Sequence, residues 1–143
     1  MKDQSRAAGH SALLVLLLIS GLGTACAGPL RLGSSTEIPA AQGQASLHRT
    51  KNGNVEIKLD VKHLAPPGRI SPGASVFVVW ARGLAPWAEA QNLGALKVDK
   101  NLNGKLTAVT AMSSFDLFIT CEQSQTVTVP ATPELLPLRY TSK

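Results

Sequence analysis

Val55, Ile57, Leu59 and Val61 alternate with Glu56, Lys58, Asp60 and Lys62. A strict period of two predicts a strand with one dry face and one solvated face. Ser75 to Ala81 reads SVFVVWA and is apolar on both faces, which predicts a central strand. Phe115, Leu117, Ile119 and Cys121 line one face of a third strand, opposite Asp116, Phe118, Thr120 and Glu122. Weaker strand patterns cover Gln44 to Lys51, Leu93 to Asp99, Lys105 to Thr110, Thr126 to Val129 and Leu136 to Tyr140. Leu93 to Asp99 is expected to pair with Lys105 to Thr110. Pro137 lacks an N–H for a ladder bond and confines the last segment to a sheet edge.

Turn chemistry separates these segments. Lys51-Asn52-Gly53-Asn54 predicts a tight hairpin in which Asn-Gly supplies the positive φ of a primed turn. Asp99 to Gly104 predicts a second, longer turn, and Leu64 to Gly73 (LAPPGRISPG) a loop crossing between strands. Seven or eight short antiparallel strands spaced by roughly ten residues predict an all-β domain, an immunoglobulin-like β-sandwich over residues 44–143. No helical period is found after the first part of the chain. Residues 27–43 are rich in Gly, Ser, Pro and Ala without any period, and are expected to form a flexible tether.

The N-terminus follows another logic. Lys2 and Arg6 outweigh Asp3, and Ala12 to Leu22 reads ALLVLLLISGL. This apolar run is far short of the about 20 residues that span a bilayer. A positive start, a short apolar core and small residues after it predict a signal peptide over residues 1–26. Two cleavage readings stay open. Ala25-Cys26-Ala27 offers a small-x-small site with the cut after Ala27. Gly23-Thr24-Ala25-Cys26 resembles a lipobox, with the cut before Cys26 and acylation of its thiol; Gly23 stands where that pattern usually has Leu. The lipobox reading is preferred. The mature protein is then an exported lipoprotein of the outer or cytoplasmic membrane, facing periplasm or exterior. By the other cut it is periplasmic or secreted.

Loss of Lys2, Arg6 and Asp3 with the leader takes the net charge from +5 to +4. The remaining basic residues are scattered, without a run or aromatic interleaving, so no nucleic-acid footprint is expected. Cys26 is either acylated or removed, which leaves Cys121 with no intramolecular partner. The domain must stand on packing alone.

VVWA at Val78 to Ala81, NLGALKVDKNLNGK at Asn92 to Lys105 and FDLFITCEQSQTVTVPATPELL at Phe115 to Leu136 resemble the extracytoplasmic C-terminal domain of anti-sigma-K factors. Thr120-Cys121-Glu122 fills that family's Thr-x-Glu place, and Ala131-Thr132-Pro133 falls in its Pro-Thr-Pro-like place. Glu122-Gln123-Ser124-Gln125 replaces the family's Glu-Pro-x-Gly-Gly-Ser element. The resemblance implies a fold and a compartment. Sigma-factor regulation would need a separate membrane partner carrying the sigma-binding part.

Few side chains suggest chemistry. Asp99, Asn101, Asn103 and Gly104 match the first half of a calcium loop, where alternating oxygens wrap a hard cation. Position 12 would be Thr110, where a bidentate Glu belongs, and a polar hairpin loop accounts for the same residues. His48, His63, Met112 and Cys121 do not follow the spacing of a copper site. Cys121 shares the phase of the dry face and is expected as core. Trp87 sits in a loop outside any strand pattern, either as a lid on the core or, with Arg82, as a partner contact. The sequence therefore predicts a non-enzymatic exported envelope protein without a cofactor. Its expected partners are the membrane, through Cys26, and an envelope protein or polymer, with no nucleic acid.

Overall fold

The computed structural model describes residues 28–142. The leader, Cys26 and both cleavage sites lie outside the described residues. Nine antiparallel strands and one short helical turn follow in order: β1 (Leu30–Arg31), β2 (Gln42–Arg49), β3 (Val55–Lys62), α1 (Pro67–Ile70), β4 (Val76–Gly83), β5 (Ala90–Ala95), β6 (Lys97–Val98), β7 (Gly104–Thr110), β8 (Ser114–Glu122) and β9 (Leu135–Thr141). They form two sheets, β1-β2-β3-β7-β6 and β5-β4-β8-β9. The inward rows of both sheets meet in one apolar cluster that includes Val55, Ile57, Leu59, Val61, Phe77, Val79, Phe115, Leu117 and Ile119. The layering is that of a β-sandwich. No helix among the described residues is long and apolar enough to cross a membrane.

The strongest sequence patterns hold. The alternating residues of β3 are buried at Val55, Ile57, Leu59 and Val61. β4 lies between β5 and β8 and is buried on both faces. Cys121 joins the inner row of β8. β9 is an edge strand, and a bulge there sets Leu136 and Pro137 opposite Phe118. Leu136 takes a φ of +49° in this bulge.

Four expectations change. Residues 27–43 are not a plain tether: β1 pairs with β2, and Ile38 and Ala41 are buried in the core. The apolar residues Leu30, Leu32 and Ile38, sparse and aperiodic, give no strand signal, yet Leu30 pairs with β2 and Leu32 and Ile38 close one side of the sandwich. There the Gly33 N–H donates to the Pro137 carbonyl across the sheets at 2.8 Å. Any Cβ at Gly33 would meet that carbonyl at 2.9 Å, so glycine is required by the close approach. Leu93 to Asp99 is not one strand. It switches sheets at the buried Leu96, whose N–H donates to the Phe77 carbonyl, so β5 pairs with β4 and only β6 pairs with β7. Gly94, at φ +119°, makes the departure possible. Thr126 to Val129 is not a strand but part of a segment packed over the second sheet. Pro67 to Ile70 winds into one helical turn, with Pro at its start.

Both hairpins use the same three-residue geometry. Thr50 N–H donates to the Asn54 carbonyl and Gly53 N–H to the Thr50 carbonyl, with φ of +83° at Gly53 alone. This is a type I turn closed by a left-handed residue, not the primed turn expected from Asn-Gly. Asp99 N–H donates to the Asn103 carbonyl and Leu102 N–H to the Asp99 carbonyl, with Leu102 at φ +60°. Leu102 accepts that conformation because its side chain packs against the core and its carbonyl takes the Leu64 N–H at 2.9 Å.

Candidate functional site

The chemistry-bearing residues gather on the outer face of the β5-β4-β8-β9 sheet. Val78, Trp80 and Phe118 project there and are fully buried. A sheet face that apolar must be covered, and residues 123–134 between β8 and β9 cover it. The Asn92 side-chain amide donates to the carbonyls of Gln125 and Val127, and Val127 packs on the apolar cluster. Beneath this strap runs a chain of buried hydrogen bonds. Trp80 Nε1 donates to Thr120 Oγ1 at 2.8 Å, and Thr120 donates to Glu122 Oε1 at 2.6 Å. The same carboxylate oxygen accepts the Ala131 N–H at 3.0 Å. Thr132 Oγ1 accepts the Cys121 N–H at 3.0 Å, a second fastening of the strap. No buried side-chain nitrogen or oxygen among the described residues is left without a partner.

Arg82 belongs to this assembly. Its guanidinium donates to Glu134 at 2.6 Å and stacks over the Phe118 ring, 4.9 Å from the centroid. Beside it, Arg139 bonds Asp116 through two nitrogens at 2.7 and 2.9 Å. That fork, above all its hydrogen bonds, holds the Asp116 carboxyl below the usual carboxylate range.

Arg82 is engaged with Glu134 and Phe118, whereas Trp87 lies in the loop beyond the end of β4. Ala85-Pro86-Trp87-Ala88 is a β-turn closed by the Ala88 N–H on the Ala85 carbonyl at 3.0 Å. Pro86 presets the first central position and Trp87 takes the second. The indole does not fold back as a lid; Trp87 is 83% exposed at the tip of the β4–β5 loop.

The remaining candidates are occupied locally. Asp99 Oδ1 accepts the N–H groups of Asn101 and Asn103 at 2.8 and 3.0 Å. The backbone bond from Asn103 is the main cause of its lowered pKa. Asp99, Asn101 and Asn103 thus build a hairpin loop. No group of three or more His, Cys, Asp or Glu side chains able to hold a metal ion occurs among the described residues. The Cys121 thiol is buried, and desolvation, helped by the negative Glu122, pushes its pKa up to about 11. It cannot act as a thiolate at neutral pH.

A groove of about 1010 Å³ opens where β2 and β9 part, lined by Gly28, Leu30, Ser46, Leu47, His48, Arg49, Tyr140 and Ser142 among others. β1 covers only Gln44 and Ala45 of the β2 edge, which leaves Ser46 to Arg49 open. Alternation along β8 sets Thr120 and Glu122 opposite the dry row and gives no sign of their bonded role. Thr-x-Glu in the resemblance was the one available signal. The chain matches no family model, no curated protein and no solved structure.

Proposed function

We propose that this chain is a non-enzymatic envelope protein, exported by its leader, acylated at Cys26, and built as an immunoglobulin-like module for binding or structural support. Strand order supports the fold type: β2, β3, β7 and β6 follow the A, B, E, D order, and β5, β4, β8 and β9 follow C′, C, F, G. One observation carries the functional reading. The side chains that could serve chemistry are spent on fastening: Glu122 and Thr120 hold the strap, Asp99 holds a turn, and Cys121 fills the core. What remains for function is surface. Mass spectrometry of the mature N-terminus tests the anchor. A diacylated Cys26 is the expected result, and Cys26→Ala moves the protein from the membrane fraction to the soluble fraction. An unmodified N-terminus at Gly28 overturns the anchored reading and leaves a soluble exported module.

A second reading makes the domain an extracytoplasmic regulatory or sensory module related to the anti-sigma-K C-terminal domains. It is favoured by the joining of Trp80, Thr120 and Glu122, which lie in the segments of resemblance, into one hydrogen-bonded unit. Affinity capture of the intact protein from membranes tests it. Recovery of a membrane-bound sigma-binding protein supports it, and its absence from the captured material removes it.

A further inference from the structure

The end of the sandwich that carries the exposed tryptophan is also the end at which the chain enters from Cys26. β2 ends at Arg49 and β3 begins at Val55, so the 50–54 turn marks that end. Val55 pairs with Thr110, whose hydroxyl donates to Gln91 at 2.9 Å, next to the β4–β5 loop. Arg49 donates to Ser142 at 3.4 Å, which brings the C-terminal end of β9 there too. Leu30 pairs with Ala45, and Gly28 lines one groove with Leu47, Arg49 and Ser142, close to the same end. Cys26 is two residues before Gly28, a reach of no more than about 7 Å.

The surface at this end suits a lipid headgroup layer. Trp87 is 83% exposed and Leu84 41% exposed on one loop. The Pro86 turn holds the indole outward at little further cost in conformational freedom. Arg49 and Lys51 are exposed at the same end of the sandwich, as is the acidic Glu89. Tryptophan favours the membrane interface because its ring is apolar and its N–H still reaches polar groups. Basic residues at the same end favour anionic lipid.

We infer that the β4–β5 loop, through Trp87 and Leu84, docks on the surface of the bilayer that holds the Cys26 anchor. The sandwich then stands end-on, with the open edge of β2 rising from the membrane. This rests on the lipoprotein reading above. The anchor supplies proximity, and the loop sets orientation.

The test uses the mature acylated protein in vesicles of phosphatidylethanolamine and phosphatidylglycerol, with and without bromine-labelled acyl chains. Trp80 is buried inside the domain and is a built-in reference. The difference in emission between the wild-type protein and Trp87→Phe isolates Trp87. Its emission is expected to shift to the blue in vesicles and to be lost with brominated lipid. The Trp87→Phe protein keeps its full emission and stays membrane-bound through the anchor. An acylated protein whose Trp87 is quenched by aqueous acrylamide and untouched by brominated lipid overturns the docking and leaves the anchor standing. An N-terminus at Gly28 without lipid overturns both. Protection of Trp87 that appears only when envelope proteins are added, and not in pure lipid, also overturns the docking and assigns the loop to a protein partner.

Discussion

Replacing Thr120 by Val tests whether the buried chain from Trp80 to Ala131 holds the strap. The two side chains have nearly the same shape, so no cavity is made and packing is kept. What is lost is a hydroxyl that accepts the Trp80 Nε1–H at 2.8 Å and donates to Glu122 at 2.6 Å. Trp80 is fully buried, so its N–H is left without a partner. An orphaned buried donor costs about 1–3 kcal/mol, and a hydrogen bond to a charged acceptor contributes about 1.5–3 kcal/mol. Glu122 keeps the Ala131 N–H, which tempers the second loss. The expected penalty is about 3 kcal/mol, a large share of the roughly 5–15 kcal/mol that small domains possess. With a urea slope of about 2 kcal/mol/M, the unfolding midpoint drops by about 1.5 M. Thr120→Ser keeps the hydroxyl and loses one methyl, for about 1 kcal/mol. In a Trp80→Phe background there is no indole donor to orphan, so Thr120→Val becomes cheaper by about 1–2 kcal/mol. Equilibrium urea unfolding followed by circular dichroism reads the wild type and all four variants. A Thr120→Val penalty below about 0.5 kcal/mol, or the same penalty in both backgrounds, would show that the chain of bonds carries no stability.

The other expectations are shorter. The Cys121 thiol should resist aromatic disulfide reagents in the folded protein at pH 8 and react at once in urea. Because burial raises its folded pKa to about 11, its contribution is complete below the unfolded value near 9. Stability should decline as pH rises from there toward 11, and Cys121→Ala should flatten that decline in thermal melts. Gly53→Ala meets no atom within 4 Å, so its cost is backbone strain alone at φ +83°. That is about 1 kcal/mol, read as a drop in Tm of roughly 3–6 °C. Asp99 has its pKa lowered chiefly by the Asn103 N–H, so its hold on the turn is present above the ordinary carboxylate range and lost as pH falls below it. The Asn101 and Asn103 amide resonances should follow this titration, lose it in Asp99→Asn, and stay in place when millimolar calcium is added.

The sequence by itself determined the elements whose pattern is local. Period two in β3 and β8, the doubly apolar β4 and the edge position of β9 follow from side-chain alternation and from the missing N–H of Pro137. Both hairpins were legible in place, though not in turn type, because Gly53 and Leu102 carry the left-handed geometry and Asn52 does not. Burial of Cys121 was legible from its phase. Tertiary structure decided whatever depends on a distant partner. Leu30, Leu32 and Ile38 give no periodic signal, and only the β2 edge and Pro137 make an ordered segment of them. The switch at Leu96 depends on the Phe77 carbonyl in the other sheet. Glu122 carries no burial signal of its own, and Thr120 and the Ala131 N–H, nine positions further on, enclose it. Alternation reports which side of a strand a residue faces. It does not report whether a later segment returns to cover that side. The covering strap makes the outer face of this sheet a second apolar layer and leaves Trp87, beyond its reach, exposed at the end where the chain enters.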